Sequence, residues 1–128
     1  DVLYFAWVRE RIGLPKETVE TSAVTVAELV EELGLEGVLI KGGHRTSDAY
    51  DLLVERREGQ IETNWLPGER LPGEAPHGTG CALSSAIAVG LAEGKPLRAA
   101  VEDGRTFVRR AIERSFTLEN GARILAFS

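Results

Sequence analysis

Val26, Leu29, Val30 and Leu33 recur at helical intervals with glutamates and other polar residues between them, which predicts one amphipathic helix. Thr25 stands three residues before Glu28, the spacing of a capping box, and Gly34 follows the last apolar position, so the helix is bounded at both ends. Upstream, the apolar run Val2 to Val8 predicts a strand continuing into a helical turn around Val8 to Ile12, stopped at Gly13. Lys16 to Ala23 alternates and is rich in Thr and Val, so a second strand is expected there, turned back by Gly13-Leu14-Pro15 into a hairpin. Gly37 to Lys41 is a short unbroken aliphatic run ended by Gly42-Gly43, the pattern of a central strand buried on both faces. Leu52 to Arg57 and Gln60 to Trp65 predict two further strands joined near Glu58-Gly59, a hairpin toward one edge of the sheet.

The pattern breaks between Pro67 and Pro76, where three of the five prolines fall with Gly68 and Gly73 in what is expected to be an active-site loop. From Thr79 a helix carries Ala82, Leu83, Ala86, Ile87, Gly90 and Leu91 on one face until Gly94 closes it. Pro96 starts another, in which Leu97, Ala100, Val101, Phe107, Val108, Ala111 and Ile112 are expected to face the core. Asn120-Gly121 then turns the chain into a final strand, Ala122 to Phe127. Strands alternating with helices predict an α/β fold, a layered sheet with helices packed on it. At 128 residues the chain is expected to form a single domain, with neither an internal repeat nor a low-complexity tract.

Composition narrows the functional classes. A net charge of −5, with basic residues scattered among acids, argues against a nucleic-acid surface, which needs clustered Lys and Arg. No apolar run is long enough for a membrane span. One cysteine excludes an intramolecular disulfide, and no signal peptide opens the sequence, so a reducing cytoplasm is the expected setting. His44, His77 and Cys81 lack the paired spacing of a structural zinc site, and Asp48, Asp51 and Glu102 have no metal-site spacing either.

The run His77-Gly78-Thr79-Gly80-Cys81 is where chemistry concentrates. Glycines immediately before a helix leave several backbone N–H groups unpaired in a concave turn, and the helix dipole adds partial positive charge, so an anion is held there. Side chains at 78 and 80 would keep a phosphate off the backbone. The same residues also fit a plain helix start with Thr79 as cap. Cys81 falls in the first turn, a setting that favours thiolate and lets it take a proton from a substrate hydroxyl; equally, a lone cysteine is a small apolar core residue. His77 can contact phosphate or substrate, or simply lie on the surface. Lys41-Gly42-Gly43-His44 ends a strand, where ligands bind in open α/β sheets, so Lys41 can neutralise a transferred phosphate or remain a solvated charge.

Residues from about 35 to 128 resemble the carboxyl-terminal half of hydroxymethylpyrimidine/phosphomethylpyrimidine kinase, a ribokinase-like family. The resemblance rests on Gly37-Val38-Leu39-Ile40-Lys41-Gly42-Gly43-His44, on Asp51-Leu52-Leu53, on the run from His77 to Ala88, and on Leu91-Ala92-Glu93-Gly94-Lys95-Pro96-Leu97 with Ala100-Val101. It implies that Gly78, Thr79 and Gly80 form an anion hole, that Cys81 is the catalytic base, and that Lys41 contacts ATP phosphates. His77 and His44 become candidate substrate contacts. Mg-ATP would be the phosphoryl donor, a pyrimidine hydroxymethyl or its phosphate ester the acceptor, and thiamin biosynthesis the setting.

Kinases of this family are about twice as long, and the amino-terminal half that supplies most of their acceptor pocket has no recognisable counterpart here. Residues 2 to 33 instead resemble the start of the small subunit of molybdopterin synthase, a ubiquitin-like sulfur carrier, through Val2 to Gly13, Glu17-Thr18-Val19 and Thr25 to Leu29. Such carriers work through a terminal Gly-Gly, and this sequence ends Leu125-Ala126-Phe127-Ser128, so sulfur carriage is not expected. The pair of resemblances implies a chimaera joined near Leu33 to Gly37, in which a β-β-α segment, 1–34, completes a kinase-like segment, 35–128. Two functional expectations follow: a phosphotransferase, or a folded module without catalysis that binds nucleotide or phosphate and pairs as a homodimer through an open sheet edge.

Overall fold

The computed structural model describes residues 2–3, 13, 16–18, 20–42, 50–68, 71 and 76–127. Strands β1 (Val2–Leu3) and β2 (Lys16–Glu17) pair antiparallel, as expected of the opening hairpin. The rest of the expected first strand and the turn around Val8 to Ile12 lie outside the described residues. The second strand is shorter than its alternation predicts, because residues 20–23 are not in a strand; the Thr21 hydroxyl donates instead to Glu32 Oε2 at 2.6 Å.

Helix α1 (Val26–Glu32) has both halves of the capping box. The Glu28 N–H donates to Thr25 Oγ1, and Glu28 Oε2 accepts from the N–H groups of Val24 and Thr25. The hydrogen bond from Val24, followed by that from Thr25, holds the Glu28 carboxyl below its usual range. The helix packs over the hairpin formed by Asp51–Arg57 and Gln60–Leu66, with Val30 fully buried.

Strands β3 (Gly37–Ile40), β4 (Asp51–Arg57) and β5 (Gln60–Leu66) form an antiparallel sheet in that order. The expectation of a central strand at Gly37 to Lys41 is therefore corrected. Among the described residues β3 is an outer strand and half-buried, whereas β4 is central and carries Leu53 and Val54 at 0% and 1% exposure. An unbroken apolar run reports hydrophobicity, and β4 reaches the core despite charged residues at Asp51 and Glu55, both buried. The hairpin turns at Glu58-Gly59 as expected, with Arg57 opposite Gln60.

Helices α2 (Thr79–Ala92) and α3 (Leu97–Glu113) pack on each other and complete the layers. Pro96 is the N-cap of α3 rather than its first helical residue, and its carbonyl accepts from the Ala100 N–H. Leu53, Leu66 and Val101 form a core cluster against which Leu39, Ile87 and Leu97 pack, joining sheet and helices. Gly37 faces Leu97 so closely that a side chain there would collide with it. Leu91, on the apolar face of α2, and Phe107, expected in the core, are 45% and 44% exposed. Phe107 stacks instead on Phe127, with ring centroids 5.6 Å apart. The expected last strand is cut to β7 (Arg123–Ile124), which pairs with β6 (Phe116–Thr117), a strand the pattern did not reveal.

Candidate phosphate-binding turn

Gly78 is the N-cap of α2, with φ 90° and ψ 5°, and no side chain caps the helix. This corrects the alternative that Thr79 is the cap. A side chain in the left-handed region costs about 1–2 kcal/mol, so the turn selects glycine at 78. The first intrahelical bond runs from the Ala82 N–H to the Gly78 carbonyl at 3.0 Å. The N–H groups of Thr79, Gly80 and Cys81 precede it and therefore have no carbonyl of their own helix to bond.

Gly80 is a different case. It sits inside the helix, and a Cβ built on it meets nothing within 4 Å. Alanine would fit there and favour the helix by about 1 kcal/mol. Neither packing nor dihedral angle calls for glycine at 80.

Cys81 is a free thiol and exposed, which removes the alternative of a small buried core residue. Together with His77 and Gly78 it lines one end of an open groove of about 830 Å³. Ala82, Ser85, Ala86 and Val89 of α2, Gly104 and Phe107 of α3, and Leu125 and Phe127 form its mostly apolar sides. Lys95 lies near the other end of α2, paired with Asp103 at 2.8 Å and Glu93 at 3.5 Å. His77 is also exposed. The turn thus brings together five of the sequence-predicted site residues, 77 to 81.

Lys41 belongs to a different cluster. Its ammonium lies 2.7 Å from Asp51 Oδ2, and its side chain is half-exposed. Arg105 Nε reaches the same oxygen at 2.9 Å, and the Gly42 N–H donates to Asp51 Oδ1 at 3.0 Å. Arg105 Nη2 also donates to the carbonyls of Leu66 and Pro67, tying α3 to the end of β5. Burial pushes the Asp51 carboxyl up, but the bonds from Lys41 and Gly42 and the charges of Lys41 and Arg105 outweigh it and hold the group below its ordinary value. Neither Asp51 nor Arg105 was singled out as a functional candidate from the sequence, because the two stand 54 residues apart. His44 lies outside the described residues.

The family model described as phosphomethylpyrimidine kinase matches residues 10–126. The chain belongs to the phosphomethylpyrimidine kinase family. A hydroxymethylpyrimidine/phosphomethylpyrimidine kinase of Streptomyces coelicolor is 41% identical over 102 residues, covering 80% of this chain and 36% of that protein. The thiamine biosynthesis bifunctional protein ThiED of Geobacter sulfurreducens is 35% identical over 113 residues, covering 88% of this chain and 22% of its own length. The chain thus spans a minor part of the length of the curated relatives it matches. Among solved structures, Bacillus subtilis pyridoxal kinase in its ADP complex superposes with a TM-score of 0.65 and 26% identity, over 94% of this chain and 46% of its own. Staphylococcus aureus pyridoxal kinase in complex with AMP-PCP gives 0.67 and 27%, over 79% and 36%. The fold is α/β and ribokinase-like, as expected. Among the described residues no helix is long and apolar enough to cross a membrane.

Proposed function

We propose that this chain is the phosphate-binding portion of a hydroxymethylpyrimidine/phosphomethylpyrimidine kinase, which transfers a phosphoryl group from Mg-ATP to a pyrimidine of thiamin biosynthesis. The observation that carries the reading is the glycine turn before α2, where Gly78 caps the helix in the left-handed region with no side-chain cap and Gly80 adds a helical glycine with open space around it. Membership of the kinase family supports it.

In this reading the N–H groups of Thr79, Gly80 and Cys81 hold the phosphate being transferred, fixed in place before the reaction, so they stabilise the charge that develops on its oxygens. Cys81 takes the proton of the acceptor hydroxyl while that oxygen bonds to phosphorus and the bond to the leaving ADP breaks. His77 and His44 contact substrate, and Lys41 contacts ATP phosphates. No group of three His, Cys, Asp or Glu among the described residues is arranged to hold a metal. Mg2+ therefore has no described protein site, and no step here is assigned to it.

Thermal unfolding with ATP, with inorganic phosphate and with hydroxymethylpyrimidine tests the binding. A ligand at about 100 times its Kd adds roughly 2.7 kcal/mol of stability, and the absence of any shift with ATP or phosphate overturns the reading. ADP release in the presence of Mg-ATP and hydroxymethylpyrimidine tests transfer, and Cys81→Ala should abolish it while ATP still binds. A second reading, a folded module that binds phosphate without turnover, has in its favour that Lys41 is already paired with Asp51. A thermal shift without ADP release decides for it.

Two further proposals concern assembly. Each outer strand of the β3-β4-β5 sheet has one edge unpaired among the described residues, and a homodimer formed along such an edge would appear as twice the chain mass in sedimentation. The segment 1–34 acts as a structural patch of chimaeric origin. Its deletion should expose apolar surface, and a truncated chain that stays monomeric and folds cooperatively counts against this.

A further inference from the structure

Two cations share the single carboxylate of Asp51, and they hold it differently. The Asp51 side chain is 4% exposed, so an unpaired negative charge there would be strongly unfavourable. The Arg105 side chain is 20% exposed, and its guanidinium is fixed by donating to the Leu66 and Pro67 carbonyls as well as to Asp51. The Lys41 side chain is 52% exposed and reaches the same oxygen from the carboxyl end of β3. A lysine that was the sole partner of a buried aspartate could not leave it. Here the carboxylate has two partners besides the lysine, the Arg105 Nε at 2.9 Å and the Gly42 N–H at 3.0 Å.

The chemistry of the two side chains matches this division. Arginine's planar fork suits a fixed position with several acceptors, and lysine's flexible stem carries a point charge that can turn between partners. Among the described residues two positive charges meet one negative, an excess of one positive charge. That charge is available to an anion without leaving the carboxylate bare.

We propose that Arg105 and the Gly42 N–H are the standing partners of Asp51, and that they release Lys41 to a phosphate oxygen of bound nucleotide. Asp51 and Arg105 are then positioning residues: Asp51 holds the lysine until nucleotide binds, and Arg105 lets it go. This deepens the reading of Lys41 given above and rests on it.

Pyrophosphate and ATP affinities, measured by titration calorimetry on the wild type, K41M, R105Q and the double variant, test the proposal. K41M should weaken binding by about fivefold or more, and R105Q should do likewise because the lysine is then held on Asp51. In the K41M background R105Q should add nothing further, since both changes act through one ammonium. An equal loss from R105Q in both backgrounds makes Arg105 a purely structural residue and overturns the proposal. R105K, which keeps a cation beside Asp51, should recover part of the affinity. If R105Q does not fold, the side-chain ¹⁵N resonance of Lys41 in the wild type decides. A shift on adding pyrophosphate supports release from Asp51, and an unchanged resonance under saturation overturns it. Pyrophosphate binding that K41M leaves intact overturns this inference and leaves the glycine turn standing as the phosphate site. Absence of pyrophosphate and ATP binding by the wild type overturns the proposed function, and this inference with it.

Discussion

Gly90 of α2 and Ala100 of α3 meet so closely that a Cβ on Gly90 would stand 2.9 Å from the Ala100 Cβ and 3.2 Å from its Cα. The two helices also close up at Gly104, where a Cβ would lie 3.1 Å from Ile87 Cγ1 and 3.3 Å from Leu83 Cδ1. Small residues on facing helices thus set the separation that the groove beside them inherits. In an exposed helix Gly90→Ala would gain about 1 kcal/mol, but at this contact the backbone of α3 must move, and overpacking of this kind costs about 1–3 kcal/mol. The expected net loss is up to about 2 kcal/mol, read as a lower Tm. An unchanged or raised Tm means that the helices can part without cost.

The two glycines of the turn should separate cleanly on substitution. Gly78→Ala forces a side chain into the left-handed region and should destabilise the fold by about 1–2 kcal/mol. Gly80→Ala meets open space and should leave stability unchanged or raise it by up to about 1 kcal/mol, yet lower phosphate and ATP affinity by shielding the donors. Calorimetric titration beside thermal unfolding reads both effects. A Gly80→Ala variant that binds ATP as the wild type does removes the argument that this glycine serves a ligand.

Local signals carried well from sequence to structure, and long-range ones did not. The Thr25 to Glu28 capping box, the Glu58-Gly59 turn and the Gly78 to Gly80 helix start each involve residues within a few positions of one another, so their chemistry is written in the order of the chain. Strand position is set by what lies on both sides, which is why, among the described residues, the apolar run at Gly37 to Ile40 is outer and the charged-looking β4 central. Phe107 has the helical spacing of a core residue, but the segment after β7 gives it Phe127 to stack on at the surface. The Asp51 cluster was invisible for the same reason. Its lysine, aspartate and arginine come from the end of one strand, the start of the next and a distant helix.

Asp51 should make stability depend on pH in a known direction. Its carboxyl lies below the ordinary aspartate value of 3.8 in the folded chain. The unfolded chain therefore binds the proton more readily, and the stability Asp51 contributes is complete above pH 3.8 and lost as pH falls through the lower folded value. Asp51→Asn removes the charge that Lys41 and Arg105 share. Because Lys41 is half-exposed, the expected cost at pH 7 is about 2–3 kcal/mol, below the range for fully buried pairs. The difference between variant and wild type should shrink only in the acid window beneath pH 3.8, as followed by urea unfolding. A difference that stays constant through that window would show that packing, not charge, accounts for the loss.

Cys81 offers a direct chemical probe of the groove, because it is the sole cysteine of the sequence and its thiol is exposed. Alkylation by iodoacetamide should therefore go to one equivalent on the folded protein, followed by mass spectrometry. Phosphate bound over the first turn of α2 would cover the thiol, which sits at the third helical position. ATP and pyrophosphate should then slow alkylation in proportion to the fraction of sites filled, and adenosine, which has no phosphate, should not. Cys81→Ala should change stability by no more than about 0.5 kcal/mol, since an exposed side chain is lost and no cavity is left. Equal protection by adenosine would place the ligand along the apolar sides of the groove and away from the glycine turn.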